Sequence, residues 1–437
     1  MTVAREPELD RPGRPVGRAA IAFILVTVML DMVAMAIVIP VLPKLVLGFL
    51  NNDTAAAARV FGVFGTAWAL MQFVFSPVQG ALSDRFGRRP VILISNFGLG
   101  LDYVLMALAP GLGVLFVGRV VSGISAASVS TAGAYIADVS PPERRAAGFG
   151  LISVAFGVGF VVGPALGGML GQLDPRLPFW VAAGLSLANG VYGLLVLPES
   201  LPRERRAAFA WRRANPVGSL RLLFAHPGLV RLGAVYALYS LAHQALPAVF
   251  VLYVDYRYGW NERTIGLTLA LVGVCSALVG GVLVRPAVRR FGERRSLLAG
   301  LAFGTAGFAI FGLAPSGWLF CAGIPVMALW GLTAPAAQGL MSRRVAASEQ
   351  GRLQGANSSI MGLTGLIGPT LFTAIFAHFI APGAGWQLPG APYLLATLLL
   401  VAALAVAAAR PRDRIAAEPA LDLSRPPRPQ AAGTPES

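Results

Sequence analysis

The chain has 437 residues, 56% of them hydrophobic and 13% charged, with a mean hydropathy of +0.69. Soluble domains carry about 25% charged residues, so a soluble fold is excluded: too much apolar surface would meet water. The 35 basic against 20 acidic residues give +15, which in so apolar a chain reads as the cationic excess of one membrane face and not as a nucleic-acid surface.

Residues 1–18 are polar and Pro-rich, a tail. Apolar runs follow near 20–43, 57–82, 90–110, 112–137, 145–170 and 177–197, then an Arg-rich stretch over 198–226. Six more runs fall near 229–254, 264–288, 296–314, 317–342, 353–380 and 392–410, and residues 411–437 form a polar, Pro-rich tail that reads as disordered. Each run is long enough to span a bilayer as a helix. The first is too long for a signal-peptide core and is read as a retained span. The fold class is therefore all-α and polytopic, with bundles over 19–197 and 227–410 and a loop over 198–226. The lipid bilayer is its first partner.

Orientation follows from the cations. With the N-terminus placed inside, 29 of the 35 Lys and Arg fall on the cytoplasmic side. The outer segments hold Lys44, the only lysine, with Arg59, Arg176, Arg257 and Arg263. Both termini are thus expected in the cytoplasm.

A repeat runs at a constant offset of 205. Arg85-Phe86-Gly87 maps onto Arg290-Phe291-Gly292, Gly118 onto Gly323, Gly150 onto Gly355, and Gly163-Pro164 onto Gly368-Pro369. Two six-span halves follow. Parallel repeats of this kind are used by secondary transporters, with a site between the halves near the midplane.

Between spans 2 and 3 stands Gly80-Ala-Leu-Ser-Asp84-Arg85-Phe-Gly87-Arg88-Arg89. Gly87 suits a turn with positive φ, and Gly80 lets a second helix come close. An ordinary cationic loop is the plainer reading. The spacing, however, closely resembles the signature of the major facilitator superfamily, where it implies a gate between the halves. In the second half Arg289 stands where Asp84 stands. Span 5 carries Gly150, Gly159, Gly163-Pro164 and Gly167-Gly168, a smooth face for close packing with a proline that permits a bend. This pattern resembles the antiporter signature of drug:proton exporters. Gly118-Arg119 and Gly123 in span 4 resemble the family's proton-linked arginine motif.

Few ionisable groups lie inside the spans. Asp31 is about 16 Å into span 1, near the midplane, with no evident partner at its depth. Asp102 in span 3 and Arg119 in span 4 share a depth of roughly 10–12 Å from the outer face, so a pair between them is geometrically possible, either structural or proton-linked. These three are the candidates for proton coupling. Gln72, His243 and Gln244 are polar groups in apolar helices that bond either substrate or a neighbouring helix.

The resemblance to the tetracycline:proton antiporters runs along most of the chain. It rests on Leu30-Asp31 with Pro40-Val-Leu-Pro43, on Ala69-Leu-Met-Gln72-Phe73, on Leu101-Asp102-Tyr103 and on Ala132-Gly-Ala-Tyr135-Ile-Ala-Asp138. Leu197-Pro-Glu-Ser200, Gly292-Glu-Arg-Arg295 and Gln350-Gly-Arg-Leu-Gln-Gly355 extend it. The span-9 run departs: it holds no carboxylate, and Gly304 stands where those pumps carry an acidic residue. The resemblance implies twelve helices in a bacterial inner membrane, exporting a drug-like molecule against protons by alternating access; proton-coupled uptake of a metabolite is the alternative. A membrane enzyme would need clustered carboxylates, histidines or cysteines. Cys275, Cys321 and the histidines at 226, 243 and 378 form no such cluster, so no catalytic site, metal or cofactor is expected. A monomer is expected.

Overall fold

The computed structural model describes residues 18–126, 128–140, 145–206, 218–225 and 227–409. Most of both tails and part of the expected central loop lie outside the described residues. Among the described residues every regular element is helical, as the bilayer demands of a chain that must satisfy its backbone within each segment.

Span 1 is Arg18–Ile37 continued by Leu42–Phe49, and span 2 is Thr54–Phe86. Span 3 is Arg88–Ala107, and span 4 comprises Leu112–Ser125 and Ser128–Val139. Spans 5 and 6 are Arg145–Leu173 and Leu177–Val196. Span 7 comprises Pro227–His243 and Ala245–Tyr258, and span 8 runs over Glu262–Leu278 into a wide turn at Val279–Leu283. Span 9 is the part of Val284–Leu313 beyond a kink at Gly292. Span 10 comprises Gly317–Ala328, a tightened turn Leu329–Leu332 and Thr333–Ser342. Spans 11 and 12 are Gln350–Ile380 and Ala391–Ala408. Helices stand on all twelve expected runs.

Spans 1, 4, 7 and 10 are broken where continuous helices were expected. In span 7, Pro247 has no N–H for the carbonyl of His243; in span 10, Pro335 leaves that of Gly331 without its helical partner. Span 1 turns at Pro40, where Val41 and Leu42 N–H groups both reach back to the Val38 carbonyl. The breaks obey the 205-residue offset: Val38 maps onto His243, and Ala126, just past the first helix of span 4, onto Gly331 in the tightened turn of span 10. The repeat is therefore structural as well as sequential. Pro164 was expected to permit a bend, yet span 5 passes it unbroken.

Within the first half span 1 packs on spans 5 and 6, and span 3 on span 6; within the second, span 12 packs on spans 7 and 9. Across the halves span 5 meets span 8 and span 2 meets span 11. Both seams close at one end only. On the span 2–span 11 seam, Thr66 Oγ1 lies 2.8 Å from Thr370 Oγ1 and donates to the Leu366 carbonyl at 3.1 Å. On the other seam, a Cβ on Gly168 would fall 2.9 Å from the Gly266 Cα. Toward the end that carries the 84–89 and 285–295 arginines the same helices separate. Gly80, Gly150, Gly280 and Gly281 there have no neighbouring atom within 4 Å of a would-be Cβ. The seams thus close toward the end that carries Lys44, and these glycines show no such close approach toward the arginine-rich end.

Gly168→Val should wedge the span 5–span 8 seam apart and lower the share of molecules closed at the Lys44 end several-fold. Interspin distances across that end check this, and an unchanged distribution would mean the seam tolerates bulk.

Candidate functional site

The loop between spans 2 and 3 is built as a clasp. Gly87 has φ +107°, and a Cβ there would press 2.6 Å from the Glu199 carboxyl carbon, so both backbone and space require glycine. Glu199 accepts hydrogen bonds from the backbone N–H of Arg88 at 2.8 Å and of Leu201 at 3.0 Å. The Arg88 guanidinium is held between Asp84 at 2.5 Å and Asp138 at 3.0 Å, and it also donates to the Ser83 hydroxyl. Ser200 Oγ donates to the same Asp138 oxygen at 3.2 Å. Asp84, Arg88 and the turn are thus brought together as expected. Arg85 is exposed over the Phe86 ring, and Arg89 reaches the Leu194 carbonyl of span 6 at 2.5 Å. Every partner belongs to the first half. Asp138 and Glu199, one at the end of span 4 and one beyond span 6, were not expected as members; spacing alone gives no sign of a partner some 50 or 110 residues away.

The second half repeats this clasp with its charges exchanged. Arg88 and Asp138 map at offset 205 onto Glu293 and Arg343, which pair at 3.1 Å, and Gly292 repeats the positive φ at +79°. The pair survives with its polarity reversed.

Of the span-5 glycines, Gly159, Gly163 and Gly167 face span 1 closely: a Cβ on Gly159 or Gly163 would lie 2.5 Å from Met32 Cβ or Ala36 Cβ, and one on Gly167 would strike the Ile37 backbone. Gly168 faces Gly266 of span 8. Gly150 and Gly80 were expected to permit close packing and here face open space.

The buried charges are arranged differently from expectation. Asp31 has partners at its depth: its Oδ1 accepts a hydrogen bond from Asn189 Nδ2 of span 6 at 2.8 Å. With the Asn96 amide of span 3 turned to donate, its nitrogen lies 3.1 and 3.2 Å from the Asp31 oxygens. The two asparagines were visible inside apolar runs but lacked a reason to be joined to span 1. Asp102, only 1% exposed, has no hydrogen-bond partner on either carboxylate oxygen. Arg119 is its charged neighbour, and the Ser122 hydroxyl stands beside it as a hydrogen-bonding group just outside good geometry. Asp102 and Arg119 are thus brought near each other, but no ion pair within 4 Å forms between them among the described residues. The Arg119 guanidinium lies 5.8 Å from the Trp68 ring of span 2 instead, a cation–π contact. The small residues of the motif serve this corner. A Cβ on Gly118 would fall 2.9 Å from Asp102 Oδ1, and one on Gly123 would fall 2.6 Å from the Trp68 carbonyl.

Gln72 is half-buried on span 2. His243 is exposed at the break in span 7, its ring 5.6 Å from that of Trp330. Gln244 packs on span 11: a Cβ on Gly365 would lie 3.6 Å from its Nε2 and 3.8 Å from Ala69 Cβ of span 2. Gln244 therefore lies at the span 2–span 11 seam, with His243 at the span-7 break next to it. At the closed end Lys44 Nζ lies 2.9 Å from Asp255 and 3.4 Å from Glu262, and it donates to the Trp260 carbonyl at 2.9 Å. One first-half lysine so binds three groups of the second half.

The chain matches the Major Facilitator Superfamily over residues 24–369 and, in a second alignment, 232–432. It belongs to that superfamily. This facilitator is 40% identical over 378 residues to the tetracycline resistance protein, class C, of Escherichia coli, covering 86% of this chain and 95% of the relative. It is 37% identical to the class G protein of Vibrio anguillarum, over 84% of this chain and 93% of that one. Among solved structures, the human organic anion transporter MFSD10 (TETRAN) superposes with a TM-score of 0.67 at 23% identity, over 90% of this chain and 100% of that one. The nucleoside transporter NupG does so with a TM-score of 0.71 at 12% identity, over 90% of this chain and 100% of that one. At such identities these two speak for the shared fold alone. The facilitator is a multi-pass membrane transporter of twelve helices in two repeated halves.

Proposed function

We propose that this transporter exports a drug-like small molecule, tetracycline foremost, from the bacterial cytoplasm in exchange for protons. The observation that carries the proposal is its 40% identity, nearly end to end, with a protein named for tetracycline resistance. The arginine-rich end is assigned to the cytoplasm on the cation bias, so the structure corresponds to the inward-open state, and the chain lies in the inner membrane with both termini inside.

Proton exchange is assigned to Asp102. Asp102 is the buried carboxyl that lies beside the Arg119 charge, and that neighbour makes the site respond to proton uptake. With Asp102 ionised the two charges offset each other, and a substrate bearing positive charge is tolerated. With Asp102 protonated the Arg119 charge stands uncompensated and repels that substrate. Proton and substrate therefore alternate, as antiport requires. Asp31, with amide donors from spans 3 and 6, positions span 1. The Asp84–Arg88–Asp138 clasp and the span-5 glycine face govern how the halves rock.

The test is a susceptibility panel, tetracyclines included, in an efflux-deficient host, with uptake into energised inverted vesicles. Proton-driven accumulation of a tetracycline is expected. Gradient-driven flux in the opposite direction would replace export by uptake. Asp84→Asn should reduce turnover about tenfold or more while the membrane level of the protein holds, since it loosens one side of the Arg88 clasp, a charge-assisted bond of about 1.5–3 kcal/mol. Unchanged turnover would make the loop a passive connection.

A further inference from the structure

The turn between spans 8 and 9 is the counterpart of the Asp84–Arg88 clasp, but its cations are left without counter-charge. Residues 285–295 hold Arg285, Arg289, Arg290, Arg294 and Arg295 against one acid, Glu293, and that acid is engaged by Arg343. At offset 205 Arg289 stands where Asp84 stands and Arg285 where Gly80 stands, so this turn loses an anion and gains two cations. In the first half Asp84 and Asp138 hold the Arg88 guanidinium. In the second all five arginines are exposed, and among the described residues none of them pairs with a carboxylate. Arg294 reaches one protein acceptor, the Ala408 carbonyl at 3.4 Å.

Arg285 and Arg289 lie one helical turn apart and so share a face. Arg290 follows at once, and Arg295 stands just beyond the turn at Gly292. Guanidinium groups gathered this closely repel one another unless an anion comes between them. The chain's own cytoplasmic segments are poor sources of one. The stretch 198–226 is itself Arg-rich, and 411–437 carries four arginines against four acidic residues. The membrane surface is a rich source. Leu278, Val282 and Leu283 are exposed at the end of span 8, and Phe291 is exposed in the turn. Along this span, apolar side chains suited to acyl chains give way to cations suited to phosphates.

We propose that the turn between spans 8 and 9 binds the phosphate headgroup of an anionic phospholipid of the inner leaflet, phosphatidylglycerol. The lipid phosphate takes the part that Asp84 and Asp138 play in the first half. The planar guanidinium fork matches two phosphate oxygens at once. One half thus closes its clasp within the protein, and the other completes it with a lipid. The inference draws on the cytoplasmic placement of the arginine-rich end and stands apart from the identity of the exported molecule.

The test uses the full chain in micelles holding equal amounts of phosphatidylglycerol and phosphatidylcholine, and native mass spectrometry counts the lipids retained. The wild-type chain should prefer phosphatidylglycerol about tenfold or more, since each surface cation adds to the attraction. Arg285→Gln, Arg289→Gln, Arg290→Gln and Arg295→Gln combined should cut that preference to about twofold or less. Arg285→Gln with Arg289→Gln alone should show an intermediate loss, so the reading survives a folding defect in the fourfold variant. Lysine at the same four positions should keep most of the preference, because the charge remains. Arg59→Gln with Arg263→Gln, which removes exposed cations from the other end, should leave it unchanged. Excess inorganic phosphate should displace the lipid no better than chloride at equal ionic strength. The proposal is overturned by a wild-type chain without preference or by an unchanged preference in the folded glutamine variants. An equal loss in the Arg59 and Arg263 variant, or displacement by phosphate in particular, overturns it as well.

Discussion

Asp102→Asn should abolish proton-driven tetracycline accumulation in inverted vesicles while gradient-free binding persists. The side chain keeps its shape and loses its exchangeable proton, and neither carboxylate oxygen gives up a hydrogen bond in the exchange. Because Arg119 would lose its nearby counter-charge, some loss of stability is expected as well. Membrane abundance is therefore measured alongside flux. Asp102→Glu retains a titratable group at nearly the same place and should recover part of the coupled rate. Asp31→Asn should behave differently. It sets an amide against the donors of Asn189 and Asn96, so its main effect should be a stability loss of about 1–3 kcal/mol, seen as a lower melting temperature. Parental export by Asp102→Asn in abundant protein would remove Asp102 from the coupling step.

Lys44→Gln should open the end of the molecule that is shut in this structure. Nζ touches two carboxylates and one carbonyl of the other half, and all three residues of the ionic cluster are three-quarters or more buried. Glutamine leaves Asp255 and Glu262 side by side with no cation between them. Part of the gain is screened by water, so a shift of the equilibrium on the order of tenfold is expected, the equivalent of about 1.4 kcal/mol. Spin labels at positions 48 and 263 read it as a longer distance. Lys44→Arg should preserve the closed distance, since it preserves the charge and adds donors. An identical distance distribution in Lys44→Gln would mean that the glycine and threonine seams alone hold the end shut.

The twelve spans were legible because twenty apolar residues in a row have few alternatives to a transmembrane helix. The turn at Gly87 was legible because positive φ restricts the residue type. The breaks at His243 and Trp330 were not. Hydropathy averages over them, and although Pro247 and Pro335 were in plain view, a proline inside a membrane helix is often absorbed without a break. The pairing of charges was legible only as depth: Asp102 and Arg119 fell at one level and do lie near each other, but depth says nothing of which way a side chain points. Asp31 therefore looked solitary when two asparagines from other spans converge on it. Lys44 stood out only by being the one lysine. Its partners lie more than 200 residues away on the other half, and no local pattern could name them.

The kinship of spans 3 and 4 bears on how the chain enters the membrane. Leu112–Ser125, the outer helix of span 4, carries Arg119, and an arginine within a span is costly to insert. Span 3, which carries Asp102, ends at Ala107, only a Pro110-Gly111 turn away. The two segments are thus a hairpin whose opposite charges can enter lipid together where the arginine alone would be held back. Entry of spans 3 and 4 as one unit is therefore the expected order, and an uncharged residue at position 102 should lower the membrane level of the protein, which quantitative immunoblotting of Asp102→Asn checks.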